Sequence, residues 1–285
     1  MVSRDPSRTS DAPAAGPLGL IAGGGRLPNE ALTRLRARGE KVEIFGFEGV
    51  TEPGLVSQAL MTRLGQLERL LGLFRARGVE RLLIVGKFEP RLLQGEGAPL
   101  EADRAAQALI ASRAGAGDVA LMSLLAGWLE AQGYLLCRQD RLLEEMLAGE
   151  GRLARRGLDA GERRDLDVGR RAVAGLSASA TAAQAVAVSR GTVVAWEDAA
   201  GTDAMIRRAA GHGATIVKAA RPGQDRRLDL PTVGPATIES MIESGARALA
   251  VEAFSTLVVG GPAMRAAADA AQIGLWGFRD RSERS

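Results

Sequence analysis

Residues 18–47 read LGLIAGGGRLPNEALTRLRARGEKVEIFGF, and their order decides the fold. The run 18–22 is short and apolar, the pattern of a buried strand. Gly23, Gly24 and Gly25 follow at once. Pro28 then stands at the start of a segment that continues to about Arg38, a position where proline favours the opening of a helix. The run 42–47 returns to strand character. Strand, glycine turn, helix and strand in this order predict the beginning of a parallel, Rossmann-like sheet.

The three glycines support two readings. They allow a tight strand-to-helix turn, or they let backbone amides at a helix N-terminus approach a phosphate. The dinucleotide fingerprint GxGxxG is not met, because Pro28 occupies its last position, and no acidic residue ends the second strand cleanly.

The same alternation runs outward from this unit. A helix is expected over 64–77, with Leu64, Leu67, Leu70, Leu71 and Phe74 on its apolar face. A third buried strand is expected over 81–86, with Lys87 just past its end, then a helix over 118–132 and a strand over 134–137. Residues 1–17 are polar, small and proline-containing, and read as a disordered leader with no signal-type apolar core. Residues 18–140 are therefore read as an N-terminal Rossmann-like domain. Residues 141–171 are rich in Arg, Glu and Gly with weak periodicity, and read as a linker. Residues 172–285 read as a second α/β domain, with strands at 192–196, 216–218, 248–252, 256–259 and 273–277. Helices are expected at 203–210, 236–246 and 262–272. The fold class is α/β, with two α/β domains.

The second domain holds KAARPGQDRRLDLPTVGP at 218–235. It follows the apolar run 214–217 and precedes a helical pattern. Its charge is too high for a core and its prolines (Pro222, Pro231, Pro235) are too many for a regular element. A stiff polar loop at the carboxyl end of a strand is where open α/β proteins place their sites.

Composition narrows the chemistry. The chain has 285 residues, 46% hydrophobic and 25% charged, with a formal charge of +3. Aromatics make up 4%, and basic residues are scattered, which argues against a nucleic-acid partner. There is one His and one Cys, His212 and Cys137, so a zinc cluster, an internal disulfide and a Ser-His-Asp triad have little basis. A metal would be a hard ion held by carboxylates and phosphates, Mg²⁺ or Mn²⁺. Of 37 Lys and Arg residues only Lys41, Lys87 and Lys218 are lysine. Lys87 and Lys218 each stand at a strand end, where a compact ammonium suits a phosphate.

LGLIAGGGRLP near the start, the stretch 115–121, GTDAMIRR at 201–208 and KAARPGQDRRLDLPTVGPATI at 218–238 together resemble the LpxI type of UDP-2,3-diacylglucosamine pyrophosphatase. The resemblance spans nearly all of the chain after residue 17. It implies two α/β domains with the substrate between them. It implies Mg²⁺-dependent hydrolysis of the pyrophosphate of UDP-2,3-diacylglucosamine to lipid X and UMP, a step of lipid A synthesis. Asp229 becomes the key catalytic carboxylate. Gly23, Gly24, Gly25, Asp118, Thr202, Asp203, Lys218 and Gln224 fall in motifs expected to line the site. On the residues' own chemistry, Lys218 and Arg221 can neutralise phosphate, and Asp225 and Asp229 can share a Mg²⁺ carrying the nucleophilic water. Lys87 and Thr232 complete the expected substrate contacts. The family usually carries Glu directly before Gly-Thr-Asp where this chain has Ala200. Its Asp-Ile-Gly-Gln segment aligns with Thr181-Ala182-Ala183-Gln184. The expected setting is cytoplasmic, peripheral at the inner membrane, with a homodimer allowed. Two other readings stand beside this one: a non-catalytic nucleotide-sugar or lipid-binding homologue, and an NAD(P)-dependent oxidoreductase.

Overall fold

The apolar run at the start of the decisive stretch is β1 (Leu18–Ala22), buried along its whole length. A computed structural model describes residues 16–88, 102–112, 118–175, 183–221 and 223–279, with the backbone alone for 118–121. Residues 1–15 of the expected leader, and Pro222 of the second-domain loop, lie outside the described residues. The chain divides into two units, Met1–Leu142 and Leu143–Ser285.

In the first unit β1 leads through α1 (Leu27–Ala37) to β2 (Val42–Phe47). Pro28, Ala31, Leu32 and Leu35 are the buried face of α1, a spacing of three, one and three that keeps them on one stripe. Then come α2 (Pro53–Val56), β3 (Leu60–Thr62), α3 (Leu67–Ala76), β4 (Arg81–Val85), α4 (Arg104–Ala111), α5 (Asp118–Ala131), β5 (Leu135–Leu136) and α6 (Gln139–Leu142). The sheet order is β3-β2-β1-β4-β5, and every neighbouring pair is parallel. Strand order reverses between β1 and β4, which makes their carboxyl ends the switch point where such sheets bind ligands. Phe74 of α3 ties the sheet to its helix layer, edge-on to Phe45 at 4.6 Å and to Tyr134 at 5.2 Å.

The second unit contains β6 (Gly151–Arg152), α7 (Ala160–Gly175), β7 (Ala185–Ser189), β8 (Thr192–Trp196), α8 (Gly201–Arg208), β9 (Thr215–Lys218), β10 (Thr232–Val233), α9 (Pro235–Ser244), β11 (Ala248–Glu252), β12 (Leu257–Val258), α10 (Gly261–Ala270) and β13 (Gly274–Phe278). Its main sheet runs β6-β13-β11-β9-β7-β8. The strands β13, β11 and β9 are parallel, and β6, β7 and β8 add antiparallel pairs at the flanks. Alternation along these strands builds two cores. Ile216, Leu249, Val251 and Leu275 meet Met205, Ile238, Met241 and Met264 from the helices on one face. Val217, Val186, Val188 and Ala250 meet Leu166 and Val173 of α7 on the other.

The stretch 141–171 is not a linker. The division falls at Leu142, and residues 143–171 are structural parts of the second unit. Gly151 and Arg152 pair with Gly277 and Trp276 of β13, and α7 lies across β7 and β9. A capping box starts α7: Glu162 N donates to Asp159 Oδ1 at 2.8 Å, and Asp159 N donates to Glu162 Oε2 at 2.9 Å. The sheet-facing positions of α7 include Glu162, Asp165 and Gly169, which hides the apolar period. Gly169 is there because the helix crosses the sheet closely: a Cβ at that position would lie 2.5 Å from Val217 Cγ2 and 2.8 Å from Val217 Cβ.

Candidate functional site

Three strand ends of the second unit converge. Lys218 closes β9 and lies opposite Ala185, the first residue of β7. Gln184 therefore stands beside the start of the polar loop, and Ala219 N donates to its carbonyl at 2.9 Å. Glu197 follows β8, its amide donating to Ala185 O at 3.1 Å. Thr202 sits in the first turn of α8.

These positions carry a continuous polar chain. The Lys218 ammonium donates to Thr202 Oγ1 at 2.6 Å and lies 3.5 Å from Glu197 Oε1. The Thr202 hydroxyl donates in turn to Glu197 Oε1. Glu197 Oε2 accepts the Gln184 amide at 2.6 Å. Gln184 Nε2 donates to Asp229 Oδ2 at 2.6 Å. Gln224 Nε2 reaches the same oxygen at 3.1 Å and Asp229 O at 3.0 Å, while its own Oε1 accepts the Arg221 amide at 2.8 Å. Lys218 and Glu197 side chains are 7% and 9% exposed, so the pair is desolvated and each charge requires the other. Asp229 is exposed.

The loop that carries Asp229 is clamped at both ends. Ala220 N donates to the buried Glu252 carboxylate at 2.8 Å where the loop leaves the sheet. Leu230 and Val233 are buried where it returns, and Leu257 N donates to Pro231 O at 2.8 Å. The Asp229 backbone is thus fixed beside an anchored leucine while its carboxylate faces outward.

Of the residues singled out in the sequence, Lys218, Thr202, Gln224 and Asp229 belong to one network. Asp225 does not join it. Its carboxylate accepts from Arg227 Nε at 2.9 and 3.1 Å and from Arg227 Nη2 at 2.6 Å, and also takes the Arg227 amide at 2.9 Å. Asp203 is exposed in the first turn of α8. The Thr232 hydroxyl donates to Leu230 O at 3.1 Å, a local turn contact. The side chain of Asp118, the first residue of α5, and all of Thr181 lie outside the described residues. Glu197 was not singled out from sequence, and Gln184 only as an aligned position. Their one signal is placement at the two ends of the 185–196 hairpin.

In the first unit Gly23, Gly24 and Lys87 do meet, through backbone. Gly23 N donates to Val85 O at 2.8 Å, and Gly24 and Lys87 exchange both amide-to-carbonyl bonds at 2.9 Å. The amides of Gly23 and Gly24 are therefore not available to cradle a phosphate, which corrects that reading of the turn. The glycines serve close approach instead: a Cβ on Gly23 would lie 2.9 Å from both Lys87 O and the Phe88 ring. Gly25, with φ of +81°, and the Lys87 side chain are exposed.

The expected Mg²⁺ fits these residues in part. Asp225 is a poor ligand, since Arg227 occupies both its oxygens. On Asp229, Oδ2 takes two amide donors and Oδ1 takes no hydrogen bond from any described residue. Among the described residues no group of three or more His, Cys, Asp or Glu side chains could hold a metal ion. A divalent cation bound by one carboxylate oxygen and completed by substrate phosphate and water matches this donor set, and it is a usual mode for Mg²⁺.

The family described as LpxI N-terminal domain matches residues 17–146, and that described as LpxI C-terminal domain matches 149–276. A similar protein is UDP-2,3-diacylglucosamine pyrophosphatase LpxI of Caulobacter vibrioides, 29% identical over 289 aligned positions that cover 91% of this chain and 95% of the relative. The two domains succeed one another along nearly the whole described chain, one on each structural unit, and the chain belongs to the LpxI family.

Proposed function

We propose that the protein hydrolyses the pyrophosphate of UDP-2,3-diacylglucosamine, giving 2,3-diacylglucosamine 1-phosphate and UMP. The observation that carries this reading is Asp229: one oxygen is held by two amide donors, the other faces outward free of hydrogen bonds from the described residues. That is the state of a positioned base or metal-binding carboxylate rather than of an ion-pair partner. Phosphoanhydride cleavage requires charge neutralisation, a placed water and in-line geometry. Asp229 Oδ1 orients the attacking water and accepts its proton. Lys218, held by Thr202 and Glu197, supplies a fixed positive charge at the same strand ends. Gln184 couples the two by binding Glu197 through its amide and Asp229 through its side chain. A bound Mg²⁺ would draw negative charge off the phosphates. We take the reaction to run at the cytosolic face of the inner membrane with the protein peripheral, because the proposed substrate carries acyl chains. No described helix is long and apolar enough to cross a bilayer.

Two observations bear on the rival readings, while Thr181, the other departure behind the non-catalytic one, lies outside the described residues. Ala200 offers no carboxylate, but Glu197 already engages Thr202 and Lys218, so the departure at Ala200 does not empty the network. The oxidoreductase reading relied on the glycine turn, where two of the three amides are bonded internally. The test is incubation of the purified protein with UDP-2,3-diacylglucosamine, with Mg²⁺ and with chelator. UMP and the monophosphorylated lipid are the expected products, and no release of UMP with Mg²⁺ present rejects the proposal.

A further inference from the structure

Phe254 stands two residues past the end of β11, and it is the one exposed position in the run 251–257. Its φ is +61°, in the left-handed region that bulky side chains avoid. A turn with this conformation calls for glycine or asparagine, and phenylalanine is the costly occupant. Strained residues of this kind persist where their surroundings hold them, and they concentrate at ligand sites.

The surroundings here do hold it. Phe254 N donates to Ala148 O at 2.9 Å, and Ala253 N donates to Phe278 O at 2.8 Å. Ala253 and Ser255 are buried on either side, so the turned backbone presents the ring alone, 47% exposed. Charge stands beside it. The Arg279 guanidinium lies 4.7 Å from the ring centroid, and Arg279 Nε pairs with Glu150 Oε2 at 2.9 Å. Both charged side chains are more than half exposed, so the pair is weakly held and can trade partners.

The ring lies at the same end of the sheet as the polar network. Val251 is in register with Lys218, and the buried Glu252 accepts Ala220 N at 2.8 Å. The chain leaving β11 therefore runs beside the loop that carries Asp229. On the far side of β9 lies β7, whose preceding residue, Gln184, holds the Asp229 carboxylate. From β11 to β7 is two strand spacings, about 10 Å. In a nucleoside diphosphate the ribose separates base from phosphates by a comparable length.

We propose that Phe254 is the platform on which the uracil base of the substrate stacks, with the pyrophosphate at Asp229 and Lys218. The assignment rests on the function proposed above, and every residue it uses lies in the second unit. The rim suits this base. Uracil carries an N–H between two carbonyls, a donor for Glu150 and acceptors for Arg279. A hydrocarbon chain would bring a partner for neither charge. The clamped backbone sets the ring in advance, so little ordering is left for the moment of binding.

The test is Phe254→Gly in the full chain, with Phe254→Tyr as the variant that keeps the ring. Calorimetry in Mg²⁺ measures affinity for UMP and for ribose 5-phosphate, alongside urea unfolding and steady-state hydrolysis of UDP-2,3-diacylglucosamine. Glycine adopts this φ without strain, so Phe254→Gly should unfold at no lower urea concentration than the parent. It should nevertheless bind UMP about ten- to a hundredfold more weakly, the scale of one lost base–aromatic stack, with ribose 5-phosphate binding unchanged. KM should rise with kcat unchanged, as for a contact equally strong in the ground and transition states. Phe254→Tyr should bind UMP as the parent does. A parent that binds UMP no more tightly than ribose 5-phosphate overturns the platform, and so does a folded Phe254→Gly protein with parental UMP affinity. In either case release of UMP from the diacylated substrate leaves the hydrolase standing. Conversely, Phe254-dependent UMP binding by a protein that hydrolyses nothing supports the platform and rejects the hydrolase.

Discussion

Gln184 Nε2 donates to Asp229 Oδ2 across 2.6 Å, although the two residues are 45 positions apart in the chain. The contact exists because β7 runs antiparallel to β9 and returns the residue before β7 to the mouth of the Asp229 loop. Gln184→Ala should release the carboxylate without removing it. The same residue's amide still serves Glu197, so unfolding should change little. Turnover should fall by roughly ten- to a hundredfold, the scale of a small misplacement at a reacting centre. Parallel measurement of kcat and thermal unfolding checks this.

Asp229 and Asp225 should part sharply on neutralisation. Asp229→Asn keeps the shape and both amide contacts can rearrange around it, but the free anionic oxygen is gone; turnover should fall by roughly 10² or more. Asp225→Asn breaks a half-exposed pair with Arg227, whose loss should cost no more than about 1 kcal/mol and leave turnover near normal. UMP release by both variants, alongside urea unfolding, decides the assignment.

Removing Glu197 should cost stability more than its hydrogen bonds alone suggest. Glu197→Ala leaves the Lys218 ammonium buried without its counter-charge, an effect on the order of 3 kcal/mol or more. Adding Lys218→Met should recover part of that loss while abolishing activity. A double-mutant cycle by chemical denaturation measures the coupling.

At Gly169 the expected effect is steric. Gly169→Ala places a methyl group against the stiff, branched Val217, with overpacking on the order of 1–3 kcal/mol. Val217→Ala in the same chain should restore most of it. If the single variant is as stable as the parent, the close crossing of α7 over the sheet is wrong.

Cys137 offers a pH test. Burial is the main reason its thiol is pushed up to about 11, with the nearby Arg81 pulling the other way. The native fold therefore holds this proton more tightly than the unfolded chain does. The resulting stability is present below the ordinary thiol pKa and is lost as pH rises through about 11. Reaction with a thiol reagent at pH 8 should be roughly a hundredfold slower than for an unfolded control. Between pH 9 and 11 the parent should lose stability faster than Cys137→Ala.

The strands of both sheets were legible where both faces are buried, as in β1, β4 and β9, because continuous apolar runs have no other use in a short segment. Lys218 could be named because it closes a buried strand, whereas Thr202, Gln224 and Asp229 could be named through the motifs that carry the family resemblance. Glu197 and Gln184 could not, since only the non-local pairing of β7 brings them in. The glycine turn revealed close approach but not its partner, which here is the chain after β4. Helix α7 was hidden because a glycine and two carboxylates occupy its inner face, although the pair Asp159 and Glu162 had the spacing of a capping box.

The pairing of β6 with β13 joins the beginning of the second unit to its last described strand. A ribosome delivers these two segments far apart in time. The first unit has all its strands in hand before β6 is made, whereas β6 must wait without a partner while the remainder of its own sheet is synthesised. Non-local closure of this kind is slow, and an unpaired flank is open to wrong partners in the interval. A chain halted before residue 274 should therefore carry a finished first unit and a second unit with an open edge at β11, and it is this nascent form, rather than the mature protein, that should depend on chaperones.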